Sequence, residues 1–228
     1  MASGAAALSA SPSALASSTE LVSLLVVLTE LAMLRALLAR TQVRLYCLQS
    51  AGLAALAATA AATQHVGELW ALVGLTVALK VLAVPWLLSR TLLHTDSSAG
   101  AHRRLDPAAT LPAVVACALA GLLLARHLPL RPASFPPFAL GLATVVVLVA
   151  FLIAIVHSDM VSQAVAFFSL ENGVSMLGLA VADRLPLLVE VGLAFDLLVA
   201  VVALAVVMRV HHRRTRTLSA DLLARLRG

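Results

Sequence analysis

The chain has 228 residues, of which 61% are hydrophobic and only 12% charged, with a formal net charge of +5. Its apolar residues come in runs near the length that crosses a bilayer, which marks an integral membrane protein and excludes an ordinary soluble enzyme domain. The basic excess does not point to nucleic acid, because the arginines sit in loops and the tail with no aromatic residues between them to stack bases.

In chain order, the first nineteen residues, MASGAAALSASPSALASST, carry no charged side chain. They lack the basic start of a secretory signal and read as a disordered N-terminal tail over 1–19. Seven apolar segments follow: Leu21 to Leu38, Leu45 to Ala62, Leu69 to Leu88, Ala108 to Ala125, Phe138 to Val156, Met160 to Ala182, and Leu187 to Met208. At about 1.5 Å per residue each is long enough to cross a hydrocarbon core of roughly 30 Å, allowing for thinning and tilt. Aromatic residues are sparse, and Gly and Pro are spread through the runs, a pattern of membrane helices rather than barrel strands. The expected fold is an all-α, polytopic membrane helix bundle of about seven transmembrane helices.

Orientation follows from the arginines. With alternating segments and a cytoplasmic tail, one side collects Arg35, Arg40, Arg44, Arg90, Arg103, Arg104, Arg209, Arg213, Arg214, Arg216, Arg225 and Arg227. The other side has Arg126, Arg131 and Arg184. This bias puts the N-terminus outside and the C-terminus in the cytoplasm. The expected organisation is a three-helix part over 20–88, a cytoplasmic loop over 89–107, a four-helix part over 108–208, and a basic cytoplasmic tail over 209–228. The polar 89–107 loop is the natural seam, and RHLPLRPASFPPF is a stiff, proline-rich surface crossing.

Neither loop carries a phosphate-binding, zinc-hydrolase or nucleophile-elbow motif. Cys47 and Cys117 lie in different apolar segments, away from any His/Cys cluster, and read as packing residues. The chemistry therefore has to come from the charges inside the apolar segments: Glu30, Lys80, Glu171, Glu190 and Asp196. An ionisable group at the bilayer centre costs a few kcal/mol, so such groups face a bundle interior or water. Glu30, Lys80, Glu171 and Asp196 each fall near the middle of their segment, and Glu190 lies nearer the outer end of the seventh. Four midplane charges point to a lateral proton relay through intervening waters, the plainer alternative being an ion pair between Lys80 and one carboxylate that ties the bundle together.

Beside Glu171, Asn172 adds a polar side chain and Gly173 permits either close helix approach or a local break, together reading as a wetted, flexible point. Pro85 should kink the third segment. His157, Ser158 and Asp159 stand at the start of the sixth segment, either as a proton entrance or, more plainly, as a solvated turn and helix cap.

FFSLENGVSMLGLA, PLLVEVGLAFDLLVAVV and the tail TLSADLLARLRG, with ALKVLAVPWLL in the third segment, resemble the E-type membrane component of hydrogenase-4 and formate hydrogenlyase complexes. The last three helices, 138–208, also resemble the small K-type component of respiratory complex I and the C-type component of multisubunit cation/proton antiporters. By that resemblance Glu171 takes the first relay position and Glu190 or Asp196 the second, while Lys80 and Glu30 receive no role. The resemblance implies a non-catalytic membrane-arm subunit of an energy-converting, complex I-like nickel-iron hydrogenase in a bacterial or archaeal plasma membrane. Its cofactors would then be absent from this chain, with nickel-iron and iron-sulfur centres in partner subunits. The expected partners are antiporter-like and anchor membrane subunits, peripheral hydrogenase subunits and the lipid bilayer. The alternatives are a subunit of a cation/proton antiporter and a mainly structural linker in the membrane arm.

Overall fold

The structure, a computed structural model, describes residues 12–64, 67–93, 107–127, 137–181, 192 and 199. Its elements are α1 (Pro12–Arg35), α2 (Ala39–Gln64), α3 (Gly67–Thr76), a π-helical segment (Val77–Ala83), α4 (Val84–Leu93), α5 (Pro107–His127), α6 (Pro137–Val156) and α7 (Met160–Val181). Among the described residues there is no β-strand. Among the described residues five stretches are long and apolar enough to cross a membrane: Ala39–Thr63, Leu69–Arg90, Ala108–His127, Phe138–Val156 and Val161–Val181. The described part of the chain is thus all-helical, and these helices are compatible with a multi-pass membrane protein.

Local sequence accounts for much of this. Pro12, Pro107 and Pro137 each open a helix, where the missing N–H would have had no partner and the fixed φ suits the first turn. The alanine-rich GLAALAATAAAT run favours helix in α2. By contrast α6, ALGLATVVVLVAFLIAIV, is full of β-branched residues that prefer strands. The same residues are nonetheless helical, the form that satisfies a backbone within its own segment, as a span through hydrocarbon would require.

The helices pack as a ring of four: α1 on α2, α2 on α7, α7 on α6, and α6 on α1. The α3–π–α4 rod lies against α2, and α5 lies against α6. Glu30 meets Gln49 while Val26 faces Gly52, so α1 and α2 run antiparallel. Gln42 meets Ser162 and Gln49 meets Ser169, so α2 and α7 run parallel. Apolar packing comes from Val26, Met33 and Leu34 of α1, Leu53 and Leu56 of α2, and Val146, Val149 and Ile153 of α6, all buried. Leu82, Leu111, Leu119, Phe151 and Ile155 point outward, as they would toward lipid. The exposed Trp86 carries the Arg90 guanidinium 5.4 Å from its ring centre, an amphipathic pair suited to a membrane interface.

Several expectations change. Residues 12–19 are helical rather than part of a disordered tail, since PSALASST has nothing to oppose a helix once Pro12 has started one. The third segment runs on to Leu93, so the expected 89–107 loop is helical at its start, and Pro107 already belongs to α5. In α7 no break occurs at Asn172 and Gly173, and the helix is continuous from Met160 to Val181. Gly173 serves close approach instead: a Cβ there would sit 2.8 Å from Val147 Cγ2 and 3.0 Å from the Val147 nitrogen on α6. The seventh segment, Leu187 to Met208, lies outside the described residues except at positions 192 and 199, and so do the basic tail and both Glu190 and Asp196.

Candidate functional site

Polar side chains seven residues apart lie on one face of a helix, about 10 Å from each other along its axis. Gln42 and Gln49 have this spacing on α2, Ser162 and Ser169 on α7, and because the two helices are parallel the pairs meet in two layers. In the first layer the Ser162 hydroxyl donates to Gln42 Oε1 at 2.5 Å. The Gln42 amide donates onward to the carbonyls of Met33 and Ala36, each at 3.3 Å, at the end of α1.

The second layer holds Glu30. Its Oε2 is met by Gln49 Nε2 at 2.5 Å and by the Ser169 hydroxyl, while Ser169 also lies 3.1 Å from Gln49 Oε1. Asn172, one turn further along α7, donates to Gln49 Oε1 at 3.1 Å and to Ser50 Oγ at 3.0 Å. Glu30, Gln49, Ser50, Ser169 and Asn172 are all buried. Together they form a polar seam through the ring, with α6 supplying its apolar wall.

Glu171 belongs to another face. Two residues past Ser169, it lies about 200° round the helix and points toward the α3–π–α4 rod. There it forms a buried salt bridge with Lys80, both ends almost fully shielded from solvent. Ser175, one turn after Glu171, donates to its carboxylate at 3.0 Å and lies 3.2 Å from Lys80 Nζ.

Lys80 stands in the middle of the π-helical segment, and Val84 N–H bonds back five residues to the Leu79 carbonyl. Such widened turns are rare and are frequently found at functional sites. Pro85 explains its position: it has no N–H for the carbonyl one turn back, that of Val81, and this oxygen accepts instead from Cys47 Sγ at 3.4 Å. Pro85 thus stands in the first turn of α4, just beyond the π-helical stretch.

Of the residues singled out from sequence, Lys80 and Glu171 are brought together, Glu30 is buried on the opposite side of α7 beside Asn172, and Gly173 seats α7 on α6. Glu190 and Asp196 lie outside the described residues. Asp159 caps α7, its Oδ2 accepting from the Ser162 N–H at 2.8 Å, and His157 is buried with Nδ1 3.3 Å from the Ile153 carbonyl. That arrangement includes a helix cap. A search of the sequence for charges alone overlooks Gln42, Gln49, Ser50, Ser162, Ser169 and Ser175. The repeated seven-residue spacing of Gln and Ser in apolar helices was the available signal.

An uncharacterized protein of Mycobacterium tuberculosis, Rv0085, is 31% identical over 172 residues, covering 73% of this chain and 76% of its own. The chain belongs to the same family. No protein-family model matches it, and no solved structure does. The Rv0085 family carries no activity in its name, so the chemistry has to be read from the buried groups. Among the described residues no three His, Cys, Asp or Glu side chains gather as a metal site, and Cys47 and Cys117 are free thiols on separate helices. What the arrangement offers is a cation–carboxylate pair and a carboxyl-centred hydrogen-bond network, both inside an apolar bundle. Groups of these kinds hold and pass protons.

Proposed function

We propose that this member of the Rv0085 family is a membrane-arm subunit of an energy-converting, complex I-like nickel-iron hydrogenase, and that its buried charges lie on a lateral proton path. The observation that carries this reading is the Lys80–Glu171 pair. Glu171 is the LENG carboxylate, the position that the resemblance to the E-type component of hydrogenase-4 makes a relay site, and it is buried against a cation held on a π-helical turn. Protonation of Glu171 would remove the charge that holds Lys80 and let the ammonium turn toward another acceptor. Such an exchange couples proton arrival to side-chain movement without any redox group in this chain.

In this reading the protein has seven membrane helices, its N-terminus outside and its C-terminus in the cytoplasm, supported by the arginine asymmetry. Glu190 or Asp196 on the seventh segment supplies the next carboxylate. Redox centres reside in peripheral partner subunits, and antiporter-like subunits flank this one in a bacterial or archaeal plasma membrane.

One observation favours a second, structural reading: Ser175 lies within hydrogen-bond distance of both Lys80 and Glu171 and holds them as a fixed tie. The deciding experiment is ion translocation by the whole complex in liposomes, driven by its redox reaction, with Glu171→Gln beside wild type. Redox turnover with translocation lost places Glu171 on the path. If both persist, the tie is structural and the relay assignment fails.

A further inference from the structure

Glu30 sits at 0% exposure in the four-helix ring, and among the described residues its hydrogen-bond partners are Gln49 and Ser169, neither of which is charged. The titratable side chains on the helices around it include Tyr46 and Cys47 on α2, Glu171 on α7 with Lys80 beside it, His157 at the end of α6 and Asp159 at the cap of α7, and none of these bonds to Glu30. Arg40 and Arg44 of α2, Glu20 and Arg35 of α1 are exposed. The second oxygen of Glu30, Oε1, has no hydrogen-bond partner among the described residues. A carboxylate so placed would be a buried charge with no counter-charge among the described residues, an arrangement that costs several kcal/mol.

Counting hydrogens shows how the cluster avoids this. Ser169 Oγ touches two oxygens, Glu30 Oε2 and Gln49 Oε1, yet a hydroxyl has one hydrogen. With Glu30 ionised, one of those oxygen–oxygen contacts is left without a proton. Turning the Gln49 amide over does not help, because its carbonyl oxygen would then face Glu30 Oε2 across the 2.5 Å contact. In both amide orientations the group is one hydrogen short.

A proton on Glu30 completes it in either orientation. In one, Glu30 donates to Ser169, Ser169 to the Gln49 carbonyl, and the Gln49 amide back to Glu30. In the other the ring runs in the opposite sense, and the Asn172 amide turns with it so that Asn172 Oδ1, otherwise without a hydrogen-bond partner among the described residues, accepts from Gln49. Closed rings of this kind reinforce each of their bonds.

We propose that Glu30, Ser169 and Gln49 form a proton-binding site, in which Glu30 holds the proton and the serine and glutamine recognise the neutral acid. The step is uptake of one proton from water by the Glu30 carboxylate, with no other reactant. It concerns a different carboxyl from the Lys80–Glu171 pair and stands whether or not the chain works in a hydrogenase.

The test is infrared spectroscopy of the purified full-length protein in lipid at neutral pH. The expected result is a carboxylic-acid carbonyl band that shifts in heavy water, disappears in Glu30→Gln and persists in Glu171→Gln. Ser169→Ala, which opens the hydrogen-bonded ring in either orientation, should shift that band without abolishing it, and this variant decides the matter should Glu30→Gln not fold. Absence of a Glu30-dependent acid band in wild type, or a band indifferent to Ser169→Ala, overturns the assignment. So does loss of the band on adding sodium, which would identify the cluster as a cation site.

Discussion

Replacing Lys80 by Met is the sharpest test of the buried ion pair. Met keeps the length of the side chain and its apolar stem, so the rod still packs on α2, but the cation next to Glu171 is gone. Glu171 keeps the Ser175 hydroxyl at 3.0 Å, and it remains 2% exposed in an apolar surrounding. Removing one partner of a buried ion pair costs about 3–5 kcal/mol, because the other charge stays buried without compensation. Replacing both partners removes the stranded charge, so Lys80→Met with Glu171→Leu should be markedly less destabilised than Lys80→Met alone. The coupling between the two sites should therefore exceed about 2 kcal/mol, within the range seen for contacting residues. Reversible denaturation of the four proteins of this cycle, followed by helical circular dichroism in one detergent, measures it. A coupling below about 0.5 kcal/mol would mean that the two groups do not depend on each other, and the pairing of Lys80 with Glu171 would be wrong.

Glycine positions give a contrasting pair. Gly173→Ala drives a Cβ against the Val147 backbone nitrogen and should destabilise by about 1–3 kcal/mol, whereas Gly74→Ala, with open space around it, should be neutral or stabilising by up to about 1 kcal/mol. Equal effects in thermal unfolding would refute the α6–α7 contact. Asp159→Ala removes the α7 cap and should cost about 1 kcal/mol, while Asp159→Asn should recover most of it. Cys47→Ala withdraws the donor to the Val81 carbonyl and should cost no more than about 1 kcal/mol, with Cys47→Ser close to wild type, as read by the same unfolding assay.

Hydrophobic run length was enough to locate α5, α6 and α7 to within two residues, as expected where the backbone has to bond within its own segment whatever the side chains prefer. Hence the strand-prone residues of α6 do not mislead, and the first six apolar segments of the sequence reappear as α1, α2, the α3–π–α4 rod, α5, α6 and α7. Burial of Glu30, Lys80 and Glu171 was likewise legible, since a midplane charge has to leave the lipid face. Helix ends were less so: α1 begins at Pro12, well ahead of the apolar run at Leu21, because a Ser/Ala stretch reads as tail until something starts the helix.

Only the tertiary structure decided which groups meet. Lys80 and Glu171 stand 91 positions apart and Glu30 and Ser169 139, and hydrophobicity says nothing about partners at such separations. The parallel register of α2 and α7, set by side-chain packing, is what brings Gln42 to Ser162 and Gln49 to Ser169. That same register turns Glu171 away from Glu30, so carboxylates that share a depth in the sequence lie on different sides of one helix. Depth is a property of a segment's own residues. Facing is a property of the helices beside it.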